Sequence, residues 1–310
     1  MHTIPLLLAV MRIGVIGLDT SHSIAFTKQL NTMPEKTEYR DFRVVAAVVH
    51  GSRDIASSTK RYPASTAKMQ EMGVEIVPDV DTLLGRVDAV LLETNDGREH
   101  LWQAEKVFRA GKRVFIDKPL AHNLADSVAI VRLAKKYNAT FFSSSAIRYV
   151  KAIRETKAKG VPVRGMDCWT CLTVEPTHEL WYWYGIHSVD PIFAVLGRGC
   201  EEVSSLSSSD GVVAIGKWND GRFGIARGLS TARGGAPYGG VIFTEEGQVD
   251  MGSYEGYVAE LDAILEYFRT GVVPVDPEET IEVMAFMTAA RISSENGGRA
   301  VRIADVLKQL

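Results

Sequence analysis

Cysteine is scarce in this sequence, with three in 310 residues. Three thiols cannot build a disulfide framework, and an odd count suits a reducing compartment, so the cytoplasm is the expected location. Cys168 and Cys171 form a C-x-x-C. A zinc site needs a second ligand pair, and a redox pair wants a helix start. The run Val163 to Val174 instead alternates like a strand, which turns residues three apart to opposite faces. Both cysteines read as ordinary strand residues, and the sequence alone predicts no metal. An excess of one charge is also missing: 35 basic side chains face 38 acidic ones, a formal net charge of −3. Nucleic acid or an anionic membrane would call for a basic patch. Long apolar runs are absent too, and nothing approaches the roughly 20 residues of a membrane span. The short run Ile4 to Val10 lacks the basic flank and small-residue cleavage site of a signal peptide. It reads as an extension from an upstream start or as part of an extended first strand. The partner left by these exclusions is a small molecule.

What is present is a globular composition, 46% hydrophobic and 24% charged, long enough for two cores. The first half alternates strand and helix patterns. Strands are predicted at Met11 to Gly17, Phe42 to Val49, Val74 to Val77, Val87 to Leu92, Arg113 to Ile116 and Thr140 to Ser144, with helices between them. Such βα units predict an open parallel sheet covered on both faces. The pattern changes near Arg148. Longer alternating strands follow from Val163 to Asp250, joined by hairpin signals such as Asn219-Asp220-Gly221. One helix, Gly185 to Leu196, interrupts them, and two more, Tyr254 to Thr270 and Pro277 to Asn296, close the chain. The expected fold is α/β: an N-terminal Rossmann-type parallel sheet over residues 1–146, then an α+β domain over 147–310 with a mostly antiparallel sheet.

In an open α/β sheet, ligands sit beyond the carboxyl ends of the strands. The first such turn is Gly17-Leu18-Asp19-Thr20-Ser21-His22. Set against G-x-G-x-x-G, Gly17 keeps the first glycine position, while Asp19 and His22 replace the second and third. The second glycine normally lets backbone approach a pyrophosphate at the helix N-terminus. A carboxylate ~4 Å from a phosphate charge would cost about 4 kcal/mol at an effective dielectric of ~20, roughly a thousandfold in affinity. Asp19 must cap the helix, turn away, bind through a water or cation, or shut the dinucleotide out. Thr20, Ser21 and His22 are candidate donors to phosphate. The second strand ends in His50, followed by Gly51, Ser52 and Arg53, where an acid would hold a ribose 2′-hydroxyl. An arginine without that acid tilts the expectation from NAD towards NADP. Thr94 and Asn95, beyond the strand ending at Leu92, join the candidate cofactor residues.

Arg113-Val-Phe-Ile-Asp-Lys-Pro-Leu120, after Gly111-Lys112, resembles the Gfo/Idh/MocA oxidoreductase family, which includes glucose–fructose oxidoreductase and inositol dehydrogenase. That family carries Ala-Gly-Lys, a strand, then Glu-Lys-Pro; here Asp117 stands for the glutamate, and Lys118 and Pro119 match. His100 matches a histidine opening the preceding helix. Arg148 and Tyr149 look like the crossover into the second domain, and Gly185-Ile-His187-Ser-Val-Asp190 looks like G-x-H-x-x-D. The stretch from Tyr267 to Ile303 completes a resemblance covering nearly the whole chain from Met11. One departure is Trp183, where the family usually has an aspartate four residues before its histidine.

The resemblance implies a nicotinamide cofactor, with Asp117 and Lys118 among the residues that hold it, a sugar, polyol or similar substrate, and a homodimer or homotetramer. It makes His187 the candidate for proton transfer, since histidine titrates near neutral pH. Lys118 would stabilise developing alkoxide charge, and Tyr184 is a reserve acid or base. Arg148, Trp183, His187 and Asp190 join Lys118 as candidate substrate residues. Asp190, before Pro191, is alternatively a helix cap or an orienter of the imidazole. Trp181 and Trp183 are candidates to stack on a sugar face. Two other readings stay open on the same fold. One is a non-redox lyase, isomerase or hydrolase, favoured by Asp19 and Trp183; the other is a ligand-binding protein without turnover.

Overall fold

The computed structural model describes residues 10–32, 36–230 and 238–310. Most of the run Ile4 to Val10, read from sequence as an extension or an extended strand, lies outside the described residues. The first half of the chain runs β1 (Met11–Ile16), α1 (Ser21–Asn31), β2 (Phe42–Val48), α2 (Ala56–Glu71), β3 (Glu75–Val77), α3 (Val80–Leu84), β4 (Ala89–Leu92), α4 (His100–Arg109), β5 (Arg113–Ile116), α5 (Leu124–Lys136) and β6 (Phe141–Phe142). These strands form one parallel sheet in the order β3-β2-β1-β4-β5-β6. The order reverses between β1 and β4, and a crevice for ligands opens there at the carboxyl ends.

Both faces of this sheet are covered, so β4 is buried along its whole length. Alternate residues divide between the faces. Val90, Leu92, Val114 and Ile116 pack with Val107 and Ile130 of α4 and α5. Val15, Leu91 and Phe115 pack with Phe26 of α1 on the other face. That second face is completed by a helix from near the end of the chain, described next.

The second half runs α6 (Lys151–Lys159), β7 (Val163–Cys171), α7 (Ile186–Leu196), β8 (Cys200–Ser207), β9 (Gly211–Trp218), β10 (Phe223–Leu229), β11 (Gly239–Thr244), β12 (Gly247–Asp250), α8 (Val258–Thr270), α9 (Pro277–Glu295), β13 (Val301–Arg302) and α10 (Ile303–Leu307). Its sheet has the order β12-β11-β7-β10-β9-β8-β13. Only β7 and β10 pair in parallel; the other neighbours are antiparallel. Helices α7 and α9 cover one face. The opposite face leaves Leu206, Ile215 and Phe223 exposed, at 60%, 42% and 50%. Helix α8 crosses back to the first sheet, where Leu261, Ile264, Leu265 and Phe268 pack against Val15, Leu91 and Phe115.

Several elements differ from the sequence expectation, the short β13 and α10 among them. Helix α6 has only Ile153 and Thr156 buried, too faint a stripe to read in Lys-Ala-Ile-Arg-Glu-Thr-Lys-Ala-Lys. Helix α7 is entered through a π-helical turn, Trp181–Gly185, so the helical path starts before Gly185. Gly185 is required there, since a Cβ would stand 2.5 Å from the Trp181 ring.

Candidate active site

Three strand ends meet at the crevice. Gly17 follows β1, Glu93-Thr94-Asn95 follows β4, and Asp117-Lys118 follows β5. Gly17 has φ +90°, and a Cβ on it would lie 2.4 Å from the Thr94 nitrogen, so the turn excludes any side chain. Thr20, not Asp19, caps α1, its side chain accepting from the Ser23 N–H at 3.5 Å. Asp19 turns away from the helix and accepts from the Asn95 N–H at 3.0 Å, leaving its other oxygen buried and unpartnered. Burial raises its pKa, in the direction that lessens its charge. Arg61 donates to the Asp19 carbonyl at 3.0 Å.

Beside this turn is a cavity of about 160 Å³, lined among others by Thr20, Ser21, Arg61, Asn95, Lys118 and His187. Trp183, Tyr184, Tyr238, Tyr254 and Tyr257 supply its aromatic walls. The two residues on which the sequence expectation rests, Lys118 and His187, thus reach one cavity, one from the loop after β5 and the other from α7. Burial opposes the Lys118 charge, but Asp117, Tyr184, Tyr257 and Glu260 outweigh it and raise the pKa. His187 shifts the other way. Burial, then the charges of Lys118 and His22, hold it well below the ordinary histidine value, as a neutral ring. Its Nδ1 is 2.8 Å from Ser145 Oγ, and Tyr184 and Tyr238 meet the ring edge-on, each at 5.4 Å.

Arg148 and Asp190 do not line this cavity, contrary to their assignment to substrate. They are a buried pair: Arg148 Nη1 donates to Asp190 Oδ1 at 2.7 Å, and Arg148 also meets Glu279. Asp190 Oδ2 accepts from the Ser145 N–H at 2.9 Å, so it supports the imidazole only through Ser145. Nor is Asp190 a helix cap, because it lies inside α7, as does Pro191. Pro191 has no N–H to give the His187 carbonyl four residues back; the buried Cys168 thiol approaches that carbonyl at 4.0 Å. Both Cys168 and Cys171 are free. Trp181 is core and does not line the cavity.

The other cofactor candidates stand along the crevice. His50 Nε2 is 2.9 Å from Glu99. Ser52 donates to Asp96, a fully buried carboxylate that also meets Arg98 at 2.7 Å and His178 at 3.1 Å. Burial works against that charge, but hydrogen bonds from His178, Arg98 and Ser52 hold the Asp96 pKa far below the usual range. Arg53 is exposed, and Thr94 Oγ1 is buried without a partner. His100 bridges the carbonyls of Thr94 and Leu120, at 2.7 and 3.1 Å.

His22 and Asp117 line the same cavity as Lys118 and His187. His22 Nδ1 is 3.0 Å from Asp117 Oδ1 and 3.6 Å from Glu93 Oε2. Burial opposes its protonation, yet Asp117, Glu93 and Glu260 raise its pKa well above the ordinary value. Burial pushes Glu93 up to about 7. It pushes Glu260 up as well, while His22 and Lys118 overcome the same penalty at Asp117 and lower it. Glu93, Glu260, Arg61, Ser145 and Tyr257 were not singled out by sequence. Of these only Glu93 carried a local signal, an acid ending the apolar run Ala-Val-Leu-Leu.

Residues 11–145 match the Gfo/Idh/MocA oxidoreductase family, NAD-binding Rossmann fold. No curated protein matches the chain. Solved structures of the same fold include scyllo-inositol dehydrogenase from Lactobacillus casei with bound cofactor NAD(H) and scyllo-inositol. It has TM-score 0.73 and 16% identity, covering 95% of this chain and 99% of that one. An oxidoreductase from Agrobacterium radiobacter, in complex with NAD+, L-tartaric acid and magnesium, has TM-score 0.74 and 13% identity, covering 96% and 99%. UDP-N-acetylglucosamine 3-dehydrogenase from Acidithiobacillus ferrooxidans has TM-score 0.74 and 17% identity, covering 92% and 98%. At these identities the likeness establishes the fold.

Proposed function

We propose that this chain, whose residues 11–145 belong to the Gfo/Idh/MocA oxidoreductase family, oxidises or reduces a sugar, polyol or related hydroxylated small molecule with NAD or NADP. The observation that carries the reading is the shared cavity: Lys118 and His187 line the same partly open space.

The crevice suits a dinucleotide at several points. Gly17 keeps the gap between β1 and β4 clear of side chains. Thr94 Oγ1 is a buried polar atom with no partner, the mark of a surface meant to meet a polar ligand. Asp19 is the feature opposed to phosphate, and its turn towards Asn95 together with its raised pKa reduces the conflict. Arg53 favours a 2′-phosphate. The nearby carboxylates of Asp54 and Glu99 are already engaged by Arg98 and His50, so the proposal keeps both NAD and NADP. The 160 Å³ cavity is below the roughly 300–1,000 Å³ that holds a drug-sized ligand. It therefore takes the reacting end of the substrate, with the dinucleotide along the crevice outside.

When bound, the nicotinamide supplies the hydride acceptor or donor. The chain's own residues handle the proton. In the tautomer that gives its Nδ1–H to Ser145 Oγ, His187 presents Nε2 to take the proton of a substrate hydroxyl, and returns it in reduction. The Lys118 ammonium stabilises the developing alkoxide. Tyr184 is placed to share either task, and Trp183 to stack against a ring. The exposed apolar face of the second sheet, with Ile215 and Phe223, supports pairing of two copies.

Fluorescence titration with NADH and NADPH tests the reading. Saturable binding followed by oxidation on adding keto-sugars or keto-polyols supports it. Binding with no net redox would favour acid–base chemistry on the same residues, the alternative to which Asp19 points. No binding at millimolar cofactor would end the dehydrogenase reading.

A further inference from the structure

Glu93, His22 and Asp117 form a buried group to which the proposed proton and hydride transfer assigns no role beyond the charge of Asp117 beside Lys118. Two of the three, His22 and Asp117, line the reacting cavity. Glu93 is fully buried, and neither of its carboxylate oxygens has a hydrogen-bond partner. Asp117 Oδ2 is likewise buried with no hydrogen-bond partner, and His22 Nδ1 has only its ion-pair contacts to the two carboxylates. His22 Nδ1 lies 3.0 Å from Asp117 Oδ1 and 3.6 Å from Glu93 Oε2, so a protonated imidazole would pair with both carboxylates in the metal-free protein. One ligand atom from each residue lies within 4.8 Å of the others. Two ligands about 2.1 Å from a shared ion stand roughly 3.0–3.5 Å apart, so both separations are near those of neighbouring ligands aimed at a common point.

We propose that His22 Nδ1, Glu93 and Asp117 bind a divalent transition-metal ion, Zn²⁺ or Mn²⁺. One imidazole with two carboxylates is the donor set such ions accept; no thiolate is present to select a softer metal. The three ligands come from three structural elements: the first turn of α1 and the loops after β4 and β5. The fold thus builds the site where the parallel sheet concentrates its ligand-facing ends. Glu260 of α8 faces the same cluster with both oxygens unpartnered, free to hydrogen-bond a water held by the ion. Three protein ligands leave a coordination position open to water or to an oxygen of a bound molecule. Asp117 adjoins Lys118, so that position lies beside the reacting cavity. The site does not depend on hydride transfer, and it would also serve a non-redox reaction.

Full-length protein, stripped with chelator, is dialysed against Zn²⁺ or Mn²⁺ and analysed for metal, with calorimetric titration in parallel. The proposal predicts one ion per chain and a higher melting temperature with metal. Glu93→Gln should bind at least about tenfold more weakly, the scale of losing a metal ligand or its support. Because Glu93→Gln removes a buried carboxylate that has no hydrogen-bond partner, its metal-free form should melt no lower than the parent. Crystals of the unaltered protein soaked in Zn²⁺ give a second readout, an anomalous peak between His22, Glu93 and Asp117. Failure to bind either ion at about 100 µM, unchanged affinity in Glu93→Gln, or a peak elsewhere would overturn the site. His22 and Asp117 would then be a plain ion pair.

Discussion

Lys118 and His187 sit in one cavity with opposite electrostatic settings: a lysine kept charged by Asp117 and a histidine kept neutral by burial and by Lys118. That division suits an oxyanion stabiliser beside a proton acceptor. Lys118→Met, which keeps the stem and drops the charge, should lower kcat by about 10²–10³-fold with an unchanged melting temperature; full activity would remove Lys118 from the chemistry. Asp19→Asn keeps an oxygen for the Asn95 N–H and removes the charge. It should tighten NADH about tenfold or more, or at least 1.4 kcal/mol, as read by fluorescence titration. Unchanged affinity would mean the carboxylate stands clear of the phosphates. The sequence revealed Gly17, Lys118 and His187 because each sits in a local pattern with fixed spacing. It could not reveal Glu260, which meets His22, Glu93 and Asp117 only after the chain has returned to the first sheet. Arg148 and Asp190 were legible as residues of interest but not as a mutual pair, because partners 42 positions apart leave no local trace.

At the scale of elements, the π-helical turn Trp181–Gly185 carries Trp183 and Tyr184 into the cavity. Glu179 steadies its start by accepting from the Trp181 and Tyr182 N–H groups at 3.0 and 3.3 Å. Burial raises Glu179 from 4.5 to about 7. A raised acid binds its proton more tightly in the folded chain than in the unfolded one. Its favourable contribution is therefore complete below about pH 4.5 and is lost as pH climbs through about 7. Glu179→Gln retains an acceptor without the titration. It should melt close to the parent near pH 5 and above it near pH 8, by calorimetry at both; a gap that narrows with rising pH would contradict the assignment. The strands and long helices were predictable because apolar residues recur at periods of two or 3.6. Helix α6 escaped because its buried stripe is two residues, and the π turn because five successive residues Trp-Tyr-Trp-Tyr-Gly carry no helical period.

Across the whole molecule, two sheets of different character meet over the site. The parallel sheet supplies the strand ends, and the mostly antiparallel sheet, through α7 and its π turn, supplies the aromatic wall and the imidazole. We propose the division at residues 146 and 147, with α8 reaching back across it to seal the first sheet. The alternation of βα units made the first sheet legible, whereas the return of α8 is a tertiary choice that no local pattern encodes. The open face of the second sheet should mediate self-association. Phe223→Asp is expected to shift the protein to a monomer in light scattering, while an unchanged mass would place any interface elsewhere. The most direct test of the account is a crystal structure with NAD(H) bound. The account predicts the nicotinamide C4 at the edge of the cavity bounded by Lys118 and His187, within reach of a substrate carbon at about 3–3.5 Å. A nicotinamide facing away from that cavity, or a crevice that stays closed to NAD(H), would contradict it.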